Sequence, residues 1–282
     1  MTRGITTTDD DQPRPDPARD DDDEREGDDM EFRILGPVHI WDGEQEDSLS
    51  GTKQRTTFAA LVLAGGRALS DEHLSRLLWD ATPPNTAAAQ IHTYASRIRR
   101  RLGPAVPLLR IRSGYRLMAG DIPCDYTEFT HQTQAGLQTM RSGDYQRAAE
   151  QLRAALALWR GEALGDTTDR LVDIERPQLE EARLEALEAW IEVELILGRH
   201  RQLLPELTRL VARHPMRERF RALLMTALYR SERQAEAMSL YRDGRRILAD
   251  ELGVEPGRLL VRTYEAILSG EVRTLMPHQL AG

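Results

Sequence analysis

Arginine, the side chain best suited to bind phosphates and guanine edges, is concentrated in one segment of this 282-residue chain. Residues 85–118 hold seven arginines and no acidic residue, a local charge of +7. The chain as a whole carries −8, but twelve acids and four bases at 1–29 already sum to −8. The overall acidity therefore does not argue against a nucleic-acid interface, because binding depends on where the basic residues cluster and not on the net charge.

A helix predicted over residues 85–102, with Asn85 as its N-cap, carries most of this charge. Its apolar residues recur at helical spacing and form one stripe: Ile91, Tyr94, Ala95, Ile98 and Leu102. The opposite face holds small, polar and basic residues: Thr86, Ala89, Thr93, Ser96 and Arg100, flanked by His92, Arg97 and Arg99. Small side chains allow close approach to DNA, and arginine can bind guanine or phosphate.

A basic hairpin is predicted after this helix, with strands at 108–112 and 115–118. Arg110, Arg112 and Arg116 would place charge against the DNA backbone, whereas Tyr115 is predicted to be core. The predicted DNA-binding residues are Thr86, Thr93, Ser96, Arg97, Arg99, Arg100, Arg110 and Arg112. The alternative for the arginine run at 99–101 is a solvated helix end, since cations also stabilise helix C-termini.

The elements before this helix predict how it is positioned. Alternating apolar residues from Phe32 to Ile40 indicate two short antiparallel strands, interrupted at Gly36-Pro37. Helices are predicted over 52–64 and 71–79, the second capped by Ser70. The order of a sheet, three helices and a hairpin predicts a winged helix-turn-helix.

The rest of the chain is predicted to be helical and repetitive. Three segments share one pattern of turn, small and bulky residues, beginning at Gly143, Gly198 and Glu232. The second and third are 34 residues apart, the tetratricopeptide period, and the longer first interval implies an insertion near 160–180. The predicted fold class is mainly α: an α+β winged helix-turn-helix followed by an all-α tetratricopeptide-like domain.

Composition shifts give the predicted domain bounds. An acidic leader at 1–29 is too polar to fold and is predicted to be disordered. The DNA-binding domain spans 30–120, the helical-repeat domain 125–270, and a C-terminal tail 271–282. The linker at 119–125 further predicts that residues 30–120 fold alone.

Motifs for catalysis are missing from the sequence, which contains no GxxxxGK[ST], GxSxG or HExxH and only scattered histidines. We therefore predict no enzyme activity, no cofactor and no metal site, and the segment at 165–169 is interpreted as a surface loop rather than a metal loop. With the single cysteine Cys124, no disulfide can form within the chain. Neither a signal peptide nor an apolar run long enough for a membrane span is visible, so a cytoplasmic, nucleoid-associated protein is expected.

Four segments in order resemble one family: EFRILGPV at 31–38, TKQR at 52–55, IHTYASRIRR at 91–100 and ELGVEPG at 251–257. Together they resemble the Streptomyces antibiotic regulatory protein family over about residues 30–270. The resemblance implies an OmpR-type winged helix joined to a bacterial transcriptional activator domain. Larger members append an ATPase module, so the length resembles the short class, and the leader leaves open whether Met1 or Met30 is the native start.

The resemblance also implies partners. These are double-stranded DNA with direct repeats near promoters of antibiotic or other secondary-metabolite clusters, RNA polymerase holoenzyme and, on DNA, a possible homodimer. Two alternatives stay open: the output protein of an OmpR-type response regulator, for which the leader is too short and polar to be a receiver domain, and a helical-repeat scaffold without specific DNA binding. A mobility-shift assay with DNA from the neighbouring genes distinguishes the scaffold from a protein that binds specific DNA.

Overall fold

The computed structural model describes Met1 and residues 30–43, 46–47 and 49–270. The predicted leader beyond Met1 and the predicted tail at 271–282 lie outside these residues. None of the helices in the described part of the chain combines the length and the apolar character that crossing a bilayer requires.

The N-terminal half is a winged helix-turn-helix, as predicted. Its first sheet is antiparallel, pairs Phe32 with Ile40, and consists of β1 (Glu31–Arg33), β2 (His39–Trp41) and β3 (Glu46–Asp47). Three helices follow: α1 (Thr52–Leu63), α2 (Asp71–Trp79) and α3 (Ala87–Leu102). The wing is a second sheet in the order β4-β6-β5, built from β4 (Leu69–Ser70), β5 (Leu108–Ile111) and β6 (Gly114–Leu117).

The start of α2 matches the prediction and the start of α3 does not. Ser70 caps α2 by accepting a hydrogen bond from the His73 amide at 3.1 Å. Asn85 does not cap α3, because the Ala87 amide donates to the Pro84 carbonyl and places Asn85 inside a turn. The helix begins at Ala87, with Thr86 at the N-cap position and no side-chain cap.

The C-terminal half is a stack of helices. They are α4 (Asp125–Arg141), α5 (Tyr145–Ala157), α6 (Asp169–Ile196), α7 (His200–Arg213), α8 (Glu218–Arg230), α9 (Gln234–Leu252) and α10 (Arg258–Ser269). Each predicted repeat segment starts in the turn before α5, α7 or α9. The turn residues Gly143, Gly198 and Glu232 all have positive φ, at 86°, 80° and 65°. The predicted insertion corresponds to the loop at 158–168 and the start of the long helix α6.

One apolar cluster is shared by the two halves. Phe32, Phe58 and Ile98 of the winged helix belong to the same buried cluster as Phe129 of α4 and Leu171 of α6. A fragment ending at residue 120 would expose this shared surface to water, at about 25 cal/mol per Å² of apolar area. The prediction that residues 30–120 fold alone is therefore at odds with the structure, while the domain bounds themselves stay a prediction.

The loop at 158–168 joins the two halves. Its end overlaps the segment 165–169, which the sequence suggested was a surface loop. That interpretation is wrong for Thr167, which is buried, and for Asp166 and Thr168, which bond to the winged helix. The partners lie more than 90 residues earlier in the chain, beyond the reach of a local pattern.

Candidate nucleic-acid interface

The inner face of α3 anchors it in the winged-helix core. Ile91, Ala95, Ile98 and Leu102 are at most 1% exposed. Tyr94, the fifth member of the predicted stripe, is half-buried, and its hydroxyl donates to Gln90 Oε1 at 3.1 Å. Because the apolar stripe is fixed against the core, the orientation of the opposite face is fixed as well.

The outer face of α3 carries the predicted small and polar residues, and all of them are exposed. Thr86 Oγ1 accepts from Gln90 Nε2 at 2.9 Å, and Thr93 Oγ1 donates to the Ala89 carbonyl at 2.9 Å. Ser96 lies one turn further on and is also exposed. These side chains stay close to the helix, so they leave its surface open to a groove of DNA.

Arg97 and Arg100 are the predicted base-contacting cations that remain available. Both are exposed, and neither makes a hydrogen bond or ion pair with any residue that the structure describes. Their neighbour Arg101 differs, since it pairs with Asp42 at 2.9 Å. Arg97 and Arg100 are three residues apart and therefore adjacent on the helix surface.

Arg99 has a structural partner instead. Its Nε and Nη2 atoms both donate to the Leu108 carbonyl of β5, at 3.0 and 2.8 Å. These bonds tie the end of α3 to strand β5 of the wing. The structure therefore assigns Arg99 a positioning role, which the sequence could not reveal because the acceptor is a backbone atom.

Arg110 on the wing is also held within the protein. Its guanidinium forms a bidentate pair with Asp71 at 2.6 and 2.7 Å and lies 4.6 Å from the ring centroid of Tyr115. The hydrogen bonds that Arg110 donates to Asp71 raise the pKa of Arg110 above its ordinary value. Tyr115 is 1% exposed, as predicted for a core residue. A phosphate would have to compete with Asp71 for Arg110.

The wing is fastened to the start of α2 at further points. The Asp71 amide donates to the Ser113 carbonyl at 2.8 Å, and β4 pairs with β6. Gly114 permits this approach, because a Cβ atom there would overlap the Leu69 carbonyl oxygen. Arg112 and Arg116 are exposed and have no ion pair among the described residues, so the wing presents two available cations.

Replacing Arg112 with Ala tests whether the wing contacts phosphate. We expect weaker binding to all DNA sequences alike, and a salt slope (log K against log [salt]) shallower by about one unit, because one counterion fewer is released. Isotherms at four salt concentrations measure the slope. Arg99→Ala is no substitute, because it would disturb the wing itself. An unchanged slope with the Arg112 variant contradicts the assignment.

Comparison with known proteins identifies the family. A model described as bacterial transcriptional activator domain matches residues 124–268. Regulatory protein DnrI of Streptomyces peucetius is 36% identical over 253 residues, which are 86% of this chain and 93% of that protein. The chain belongs to the Streptomyces antibiotic regulatory protein family. The relatives in this family are named as regulators, so the prediction that the chain is not an enzyme is confirmed.

Other family members are longer than the region they share with this chain. Regulatory protein AfsR of Streptomyces griseus is 38% identical over 248 residues, which are 88% of this chain but 25% of AfsR. The structure of Mycobacterium tuberculosis EmbR in complex with a low affinity phosphopeptide matches with a TM-score of 0.81 at 36% identity. That match covers 86% of this chain and 66% of the EmbR chain, and it confirms the predicted fold.

Proposed function

We propose that this protein is a sequence-specific transcriptional activator that binds DNA through α3, hereafter the recognition helix. Arg97 and Arg100 donate to guanine edges in the major groove, while Thr86, Thr93 and Ser96 line the close contact. Arg112 contacts the flanking phosphate backbone, and Arg110 joins it when phosphate displaces Asp71. Arg99 holds the wing in place.

The observation that carries the proposal is a pair of exposed arginines, Arg97 and Arg100, that have no partner in the described part of the chain and lie on a helix whose other face is buried in the core. An α-helix with its side chains is about 10–12 Å across, which matches the roughly 12 Å width of the major groove. Arg97 and Arg100 project from the side that faces away from the core. No acidic residue lies between 85 and 118 to repel phosphate.

The operator, the partners and the location are proposed from what the family resemblance implies. Direct repeats near the promoter of a secondary-metabolite cluster would place two copies side by side on DNA. The C-terminal half is a match for a transcriptional activator domain, which supports contact with RNA polymerase holoenzyme. The sequence from 121 to 282 holds 22 bases against 26 acids. Because its net charge is negative, that half is unsuited to bind DNA itself. We place the protein in the cytoplasm, on the nucleoid.

Footprinting and transcription with purified components test the function. The full chain is incubated with promoter fragments from its own gene neighbourhood, and transcription is measured with RNA polymerase holoenzyme. We expect protection of two direct repeats and a protein-dependent rise in transcript. Protection without a rise in transcript would contradict activation, and absence of any sequence-specific protection would support the scaffold alternative.

A further inference from the structure

A set of buried and half-buried polar contacts joins the winged helix to the repeat domain. On the repeat side they come from the start of α4 and from the loop at 158–168. On the winged-helix side they reach the β1–β2 turn, α1 and α2. We call the four side chains that carry them the interdomain clamp: Asp125, Arg160, Asp166 and Thr168.

Asp125 holds the β1–β2 turn. Its carboxylate is 1% exposed and accepts hydrogen bonds from the amides of Ile34 and Leu35 at 2.9–3.0 Å. Arg160 neutralises it with an Nη2–Oδ2 distance of 2.6 Å. Two amide donors and one guanidinium thus balance the negative charge of this carboxylate. A charge buried away from water requires such partners.

The backbone of the loop extends the same contact. The Arg160 amide donates to the Leu35 carbonyl at 2.8 Å, and the Leu164 amide donates to the Ile34 carbonyl at 3.1 Å. Gly36 allows the β1–β2 turn and the loop to approach each other closely. A Cβ atom at this position would lie only 3.1 Å from Arg160 Cβ, which is tighter than usual van der Waals contact. Leu164 is fully buried with φ of 58°, a conformation that costs a bulky residue energy and persists where the surroundings enforce it.

Asp166 and Thr168 hold the helices of the winged helix-turn-helix. Asp166 accepts from the Val38 amide at 2.8 Å and pairs with Arg55 of α1 at 2.9 Å. Thr168 donates through Oγ1 to the Leu77 carbonyl of α2 at 2.7 Å, and its amide donates to Thr56 Oγ1 at 2.9 Å. The clamp therefore grips the first sheet, α1 and α2 together.

We infer that Asp125, Arg160, Asp166 and Thr168 are positioning residues that fix the angle between the recognition helix and the repeat domain. The clamp side chains contact three separate elements around a shared apolar core. A rotation of one domain about the linker would therefore break all of these contacts at once. The two domains thus move as one rigid body rather than as two units on a flexible tether.

A functional consequence follows, and it rests on the proposed operator of two half-sites. Two rigid copies on one DNA can meet through their repeat domains at one half-site spacing, because a shift of five base pairs turns one copy to the other side of the duplex. A flexible linker would tolerate several spacings. The clamp therefore makes half-site spacing part of what the protein recognises.

Pulsed spin-label distances in the full chain test the rigid body without any DNA. Labels go on Glu72→Cys of α2 and Arg201→Cys of α7, both exposed positions. Cys124 is buried, and burial raises the pKa of its thiol to about 11, so at neutral pH it reacts with the label much more slowly than the two exposed cysteines. The clamp is opened by Asp166→Ala with Thr168→Val, and separately by Asp125→Asn. Glu162→Gln, which removes an ion pair to Arg176 in the same region but outside the clamp, is the matched control.

We expect one narrow distance distribution for the wild type and for Glu162→Gln, and a broadened one for both clamp variants. A broad wild-type distribution, or clamp variants as narrow as the wild type, would overturn the inference. These outcomes need no DNA, so they decide the inference even if the operator proposal fails.

Binding to paired half-sites supplies the second readout. We expect the wild type to lose about tenfold in affinity when the spacing changes by half a helical turn, and the clamp variants to lose about twofold or less. Affinity for a single half-site should stay unchanged, because no clamp residue lies on the DNA-facing side. Equal spacing dependence in the wild type and the folded clamp variants would refute the positioning role.

Discussion

Asp125→Ala is expected to lower the free energy of unfolding by about 2–5 kcal/mol, because a buried donor left without its acceptor costs about 1–3 kcal/mol and this change leaves two of them. The change leaves the buried amides of Ile34 and Leu35 without their acceptor and removes the ion-pair partner of the exposed Arg160. Because those groups sit between the two halves, the loss should destabilise both. Urea unfolding followed by circular dichroism measures the change.

The matched control for this variant is Asp121→Ala, four residues earlier on the exposed linker. We expect the control to change the unfolding free energy by about 0.5 kcal/mol or less, as surface substitutions usually do. A shared core also predicts that wild-type fluorescence and circular dichroism follow one transition. A loss below about 1 kcal/mol for Asp125→Ala, or two separate transitions in the wild type, would show that the clamp contributes little.

Arg97→Ala and Arg100→Ala should each weaken operator binding by about 1–3 kcal/mol, or roughly 5- to 150-fold. Each variant removes a donor that is unpaired among the described residues, so little internal structure is lost with it. Sequence preference should relax at one base pair per variant, whereas Arg112→Ala should affect all sequences alike. Fluorescence anisotropy with the operator and with single-base variants at fixed salt measures both effects.

Arg153→Ala is the control for these two variants, since it removes an exposed arginine from α5 in the repeat domain. It should bind the operator like the wild type. If Arg97→Ala and Arg100→Ala bind no worse than Arg153→Ala, the recognition helix has been assigned to the wrong element. Thermal unfolding of all three checks that a loss of binding does not come from a loss of fold.

Regular elements could be predicted from the sequence wherever a periodic pattern was long enough. The stripe from Ile91 to Leu102 placed the recognition helix and its exposed face, and Ser70 marked the start of α2. The strands β3 and β4 are two residues long, too short for an alternation to be visible. The prediction that Asn85 is the N-cap of α3 was wrong because the turn places the next residue, Thr86, at that position. Asn85 is only one residue away and is of a type that favours N-caps.

Pairings across long separations were beyond the sequence. Arg99 and Arg110 looked equivalent to Arg100 and Arg112, since composition does not show that a carbonyl or a carboxylate already holds them. Asp166 lies 128 residues from Val38, so the clamp has no local signature. The structure thus separates the predicted site residues that are available from those that position the wing.

Guanine methylation interference on the operator tests the central claim most directly. Methyl groups at guanine N7 lie in the major groove, where arginine donates to N7 and O6. We predict that methylation at particular operator guanines blocks wild-type binding, and that Arg97→Ala and Arg100→Ala each become insensitive at a different one of these positions. An interference pattern that is the same for the wild type and both variants would contradict base recognition by this helix.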